Sequence, residues 1–175
     1  MFNKWFDKEK EDGSKNTTGL SNAYNLIRKE LEKLIDKYSK QEKNAKGGKY
    51  EYLFNIDTKE AQKKIKEVQG LLIDGSNAEA LSYKIADLNE TKDEIADALG
   101  ILKKQANDKE KNAEALFTAR EGWLNENDKR KVSSDLVKLK ELIGKEDYVN
   151  ALKLAEAILG DLQKTESKDN GLLIV

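Results

Sequence analysis

The sequence predicts an all-α protein of stacked antiparallel helical hairpins, and three observations carry that expectation. There is no proline in 175 residues. An interior proline costs a helix about 3 kcal/mol, so the commonest helix breaker is missing. Apolar residues recur at steps of three and four, the period of one face of an α-helix. A short motif also returns after about 35 residues, the period of a two-helix repeat.

Composition agrees with this. Charged residues make up 37% and aromatics 7%, as expected of amphipathic helices with solvated outer faces. The length fits one domain with a core that needs no metal or disulfide staple. Net charge is −1, from 32 basic and 33 acidic residues. A dedicated nucleic-acid binder shows a basic excess, so that partner class is disfavoured. Cysteine is absent, which excludes disulfides. No apolar run reaches about 18 residues, the length of a membrane-spanning helix. The opening Met1-Phe-Asn-Lys-Trp-Phe-Asp7 lacks the apolar stretch of a secretory signal. The expected location is the cytoplasm, with peripheral membrane contact through the N-terminal tail as an option.

Residues 1–19 read as a flexible polar tail, and residues 20–164 as the helical domain. The first helix carries Leu20, Tyr24, Ile27, Leu31, Leu34 and Tyr38 on one stripe. It runs to about Ala45 and stops at Gly47-Gly48. Tyr50, Tyr52, Phe54 and Ile56 alternate as in a strand, but a lone strand has no partner. That stretch is expected to be an ordered linker with its aromatics on the helices. Asp57 with Glu60, Ser76 with Glu79, and Thr91 with Glu94 have the spacing of N-terminal capping boxes. Gly75 and Gly144 stand where a left-handed C-terminal cap is wanted. The expected helices are 58–74, 77–89, 91–107, 110–125, 128–143 and 146–164, followed by a tail over 165–175.

The internal repeat is the strongest pattern. Asn77-Ala-Glu-Ala-Leu81 recurs letter for letter as Asn112-Ala-Glu-Ala-Leu116, and a third Ala-Leu pair is Ala151-Leu152. Ile65, Leu99 and Leu136 correspond in phase. So do Val68, Leu102 and Leu139, and then Leu88, Trp123 and Leu159. The stretch Gly144-Lys-Glu-Asp-Tyr148-Val-Asn-Ala151-Leu-Lys-Leu-Ala155-Glu-Ala-Ile158-Leu159 resembles the turn and second helix of a tetratricopeptide repeat. Its matching features are Tyr148, the small Ala151 and the pair Ile158-Leu159, with Leu136, Leu139 and Leu142 lining the preceding helix. The copies at 77 and 112 are looser. The resemblance implies TPR-like stacked hairpins and a partner-binding scaffold without catalysis. The alternative fold is a spectrin-like or four-helix-type bundle with coiled-coil packing, which gives similar apolar spacing.

The chemistry left to the chain is narrow. It has no histidine, the usual general base at neutral pH and the commonest metal ligand. Without cysteine, thiol nucleophiles and the standard zinc sites are also excluded. Glu90, Glu94 and Asp97 share one helix face. Glu94-Ile-Ala-Asp97-Ala-Leu is similar to the second acidic motif of the all-α nucleoside-triphosphate pyrophosphatases, which hold magnesium between two helices. That family also needs an earlier Glu-x-x-Glu, and residues 58–89 contain none. No catalytic, cofactor or metal residue is therefore assigned, and the chain is expected not to be an enzyme.

Lysines 37, 40, 43, 46 and 49 form a short basic spiral, best explained as a solvated helix end near its C-terminal dipole. The candidate partner-binding residues are Phe2, Trp5 and Phe6 in one tail and Leu172, Leu173, Ile174 and Val175 in the other. Aromatic and apolar residues on polar tails suit insertion into a lipid interface or a partner's groove. The expected function is a protein-interaction scaffold or adaptor. The alternatives are a self-associating structural bundle, forming a homo-oligomer, and more distantly a magnesium-dependent pyrophosphatase.

Overall fold

The computed structural model describes residues 17–75 and 77–169, without the side chains of 17, 18 and 165–169. They form five α-helices and no strand. These are α1 (Thr17–Ala45), α2 (Thr58–Ile73), α3 (Ala78–Arg120), α4 (Glu126–Gly144) and α5 (Tyr148–Asp169), with 3₁₀ turns at Glu51–Leu53 and Glu121–Trp123. The all-α class is as the sequence predicts.

α1 follows its apolar stripe closely. Leu20, Tyr24, Ile27, Leu31 and Tyr38 are buried, and the stripe continues through Gln41 and Ala45. Ile35 takes the buried place expected of Leu34, which is half-buried. The Tyr50–Ile56 linker is ordered. Tyr50 is buried, Phe54 packs its ring edge-on against Tyr38 at 5.2 Å, and the Ile56 N–H donates to the Tyr38 hydroxyl. Tyr52 is the exception and points to solvent, 72% exposed. α2 starts as expected, with Asp57 Oδ1 accepting from the Lys59 and Glu60 amides.

α3 corrects the expected pattern. Residues 78–120, read as three helices, are one helix of 43 residues. Its start is capped by Asn77, whose Oδ1 accepts from the Glu79 amide, while Ser76 of the expected box lies outside the described residues. Thr91 is not a cap but an interior residue. Its hydroxyl donates to the Asp87 carbonyl one turn back and accepts from Lys64 Nζ, so it is satisfied without ending the helix. No residue with a strong penalty interrupts the stretch around Asn107 and Asp108. The buried stripe of Leu81, Ile85, Leu88, Ile95, Leu99, Leu102, Ala106 and Ala113 runs across all the expected breaks.

The two identical pentapeptides consequently lie on the same helix. The first forms its N-terminal cap, with Leu81 buried. The second is interior, with Asn112 exposed and Leu116 half-buried. The phase-matched positions Ile65, Leu99, Leu136, Val68, Leu102 and Leu139 are all buried. Trp123, matched to Leu88, instead sits in a 3₁₀ turn and is 61% exposed. A helical hairpin is formed by α4 and α5, through the turn Lys145–Asp147. Gly144 lies inside α4, and the left-handed residue is Glu146 (φ 57). Glu146 N–H bonds to Ile143 O and Asp147 N–H to Leu142 O, which closes the helix end two residues later than expected.

The helices form two compact units. Unit 1 takes the chain to Lys40 and Leu53–Asp97, and unit 2 takes Gln41–Tyr52 and the chain from Ala98. In unit 1, Tyr24 Oη donates to Ile65 O, Lys64 pairs with Asp87, Lys84 with Glu67, and Lys92 with Glu30. These contacts make α2 antiparallel to its two neighbours and α1 parallel to the first part of α3. In unit 2, Lys131 pairs with Asp161, Lys140 with Glu114, and Lys109 with Glu156. The last part of α3, α4 and α5 therefore run up, down and up.

The continuity of α3 has a direct consequence. If a helix began after Thr91, proline at Lys92 would occupy a favoured first-turn position. In the interior it removes a hydrogen bond and clashes with the preceding turn. We expect Lys92→Pro to destabilise by about 3 kcal/mol or more beyond Lys92→Ala in urea unfolding, where Lys92→Ala corrects for the lost ion pair.

Candidate functional site

A surface groove lies in unit 2. On α3, Glu114, Phe117 and Thr118 lie at helical spacings that place them on one face. On α4, Ser133, Leu136, Val137 and Lys140 do the same. Together they line a groove of about 420 Å³. Leu136 is buried and Phe117 half-buried, forming the floor. Val137 is 58% exposed although apolar. Thr118 and Ser133 add hydroxyls, and the Glu114–Lys140 ion pair crosses from one wall to the other. The hydrogen bond to Glu114, and then its charge, raise the Lys140 pKa.

α4 and α5 are held at their turn by the last turn of α1. Gln41 is 2% exposed, at a position where the stripe otherwise carries apolar residues. Its Nε2 donates to Glu146 O at 2.7 Å, and its Oε1 accepts from the Val149 amide at 2.9 Å. One side chain thus serves the carbonyl of the strained left-handed residue and an orphan amide in the first turn of α5. Asn44 Nδ2 donates to Asp147 Oδ1, Asn150 Nδ2 to Asp147 Oδ2, and Lys153 Nζ to the Asn44 carbonyl. The last of these places a cation at the C-terminus of α1, where the helix dipole favours it.

A second polar cluster stands one turn further along α5. Glu156 Oε1 accepts from Lys49 Nζ at 2.7 Å and Lys109 Nζ at 2.8 Å. Burial alone would raise the Glu156 carboxyl. Hydrogen bonds from Lys109 and Lys49, with the Tyr50 hydroxyl beside them, outweigh it and hold the pKa at about 2. Burial pushes the Tyr50 phenol up, and the Glu156 charge adds to that. The Tyr50 hydroxyl makes no hydrogen bond of good geometry. Lys49 anchors the chain just after the Gly47 turn, where φ is +70°.

The tail residues Phe2, Trp5, Phe6, Leu172, Leu173, Ile174 and Val175 lie outside the described residues. The chain matches no family model, no curated protein and no solved structure. Glu90, Glu94 and Asp97 are all exposed on α3. Among the described residues no group of three His, Cys, Asp or Glu side chains is placed to hold a metal ion. Lys37, Lys40, Lys43, Lys46 and Lys49 are exposed, and Lys49 is committed to Glu156. No helix among the described residues is long and apolar enough to cross a membrane.

Sequence reasoning missed the groove. Its only trace there is Val137, an apolar residue off the buried stripe of Val132, Leu136 and Leu139. Gln41 was also missed, because a glutamine on a helix normally reads as surface.

Two outcomes follow from the polar clusters. Gln41→Ala removes the partner of the buried Val149 amide and the bond to the Glu146 carbonyl, and should cost about 1–3 kcal/mol in urea unfolding, with little dependence on salt. Glu156 has a folded pKa of about 2 against an ordinary value of 4.5. A depressed folded pKa stabilises above the ordinary value, and this is lost as pH falls towards the folded one. The stability gap between wild type and Glu156→Gln should therefore be full near neutrality and shrink from pH 4.5 down towards 2.

Proposed function

We propose that this chain is a non-catalytic protein-interaction scaffold. The observation that carries this reading is the groove between α3 and α4, with a floor of Phe117 and Leu136, the exposed Val137 at its edge and polar side chains around it. An apolar floor with a few polar groups at its edge is the usual anatomy of a recognition surface. Two parallel walls of helix suit an amphipathic helix of a partner, which lays its apolar face into such a groove. The Glu114–Lys140 pair offers that helix one acceptor and one donor to fix its register. The apolar tails, with Phe2, Trp5, Phe6 and Leu172–Val175, belong to the same proposal as further partner or membrane contacts. The turn and helix over residues 144–159, which resemble the turn and second helix of a tetratricopeptide repeat, fit it too, since that family binds partners without chemistry. The absence of histidine and cysteine from the sequence supports the non-catalytic half of the reading.

The test places a photo-crosslinking side chain at Val137 in the full chain and, as control, at exposed Lys103. In host cells, the Val137 probe should capture a discrete protein that the Lys103 probe does not. Because Val137 is 58% exposed, Val137→Asp should leave the helical circular dichroism and the melting temperature unchanged while abolishing that protein's co-purification. Capture that is equal at both sites, or insensitive to Val137→Asp, would remove the groove from the function.

A further inference from the structure

Unit 1 carries two solvent-facing stripes of opposite charge and matched spacing. On α1, Leu26, Lys33 and Lys40 recur every seventh residue, and all three are exposed. On α3, Tyr83, Glu90 and Asp97 recur every seventh residue, and all three are exposed. A seven-residue step keeps side chains on one line along a helix. Both stripes begin with a large apolar residue, Leu26 at 71% and Tyr83 at 65% exposure. Both continue with two charges, positive on α1 and negative on α3.

These charges are not spent on other described residues. Several acids of unit 1 have a basic partner: Glu30 has Lys92, Glu67 has Lys63 and Lys84, and Asp87 has Lys64. Lys33, Lys40, Glu90 and Asp97 enter no ion pair or hydrogen bond among the described residues. Glu94, also exposed, adds a third acid beside Glu90 and Asp97. The opposing charges Glu30 and Asp36 stand three residues either side of Lys33, Glu30 being turned to Lys92, while on α3 Lys84 is turned to Glu67. In one chain the two stripes cannot meet, because each faces solvent.

We propose that the stripes meet between two copies of this chain, α1 of one copy lying parallel to α3 of the other. The register pairs Leu26 with Tyr83, Lys33 with Glu90 and Lys40 with Asp97. The shared spacing and the shared order from apolar residue to charges favour a second copy over a generic charged partner. α1 and α3 already run parallel within unit 1, so a copy in the same orientation presents both stripes in the required direction. Opposite charges at seven-residue spacing select partner and register in parallel helical assemblies, and like charges there oppose association. The apolar pair at one end supplies area that does not weaken with salt. This inference uses only unit 1 and does not rest on the groove reading.

The experiment is sedimentation equilibrium of the full chain at low and high salt. The mass should rise above one chain with concentration at low salt and fall back as salt screens the pairs. Two double variants carry the test: Lys33→Glu with Lys40→Glu, and Glu90→Lys with Asp97→Lys. Each makes both stripes the same sign and should raise the dissociation constant at least about tenfold. Mixing the two variants should restore association, because one then presents only acidic and the other only basic stripes. None of the four residues is buried or paired among the described residues, so at high salt, where the wild type is also a single chain, thermal melts of the variants should match it, which separates lost docking from lost folding. A wild type that stays monomeric at low salt, or variants that associate as it does, overturns the proposal. So does a mixture that fails to associate.

Discussion

Unit 2 depends on one buried amide. Gln41 is inside the structure at the end of a helix whose earlier core positions are apolar, and it holds both sides of the α4–α5 turn. A leucine there would bury more apolar area but would leave the buried Val149 amide without its partner, and an unsatisfied buried polar group costs more than the area returns. The turn itself raises the demand. Its left-handed residue is a glutamate and not a glycine, so the backbone carries some strain that the surrounding hydrogen bonds must hold in place. Asn44, Asp147, Asn150 and Lys153 extend the same hold outwards.

What the hold positions is the path of α4, and the path of α4 makes the groove. Val132, Leu136 and Leu139 face the core of unit 2, and α5 covers that side. Val137 and Lys140 are then turned outwards against Glu114, Phe117 and Thr118 of α3. The exposed valine is a by-product of burying its neighbours on a helix, yet it is also the residue a partner would meet first. The Lys49–Glu156–Lys109 cluster works at the other side of the unit. It joins the segment after α1, α3 and α5 by charge-assisted hydrogen bonds, whose strength depends on keeping Glu156 ionised.

α1 and α3 give residues to both units, and their stripes show how a long helix can do so. The buried positions of α3 keep a near-heptad step from Leu81 to Ala113. Polar residues fall on or beside that line, each with its own partner: Thr91 on Asp87 and Lys64, Lys92 on Glu30, Lys109 on Glu156. Such residues weaken a uniform apolar seam but specify which neighbour sits where. The outward face has a different character. There Tyr83, Glu90 and Asp97 meet no partner among the described residues, which is why that face, like its basic counterpart on α1, suits an assembly.

The sequence by itself determined that the chain is helical, where α1, α2 and α4 lie, and which side of each is buried. Those features depend on local periodicity, on caps such as Asp57, and on the absence of proline, all of which act within a few residues. It was misleading wherever a residue type has two uses. Thr91 and Glu94 have the spacing of a helix start, but a threonine can equally bond back to the preceding turn. The deciding contact came from Lys64 on another helix. The repeated Asn-Ala-Glu-Ala-Leu is a cap at 77 and an interior segment at 112, because only the first follows a left-handed glycine, Gly75. The burial of Gln41, the left-handed turn at Glu146 and the exposure of Trp123 and Val137 were decided only by the tertiary structure. Each depends on a partner far away in the chain, and spacing along one helix carries no information about what packs against it.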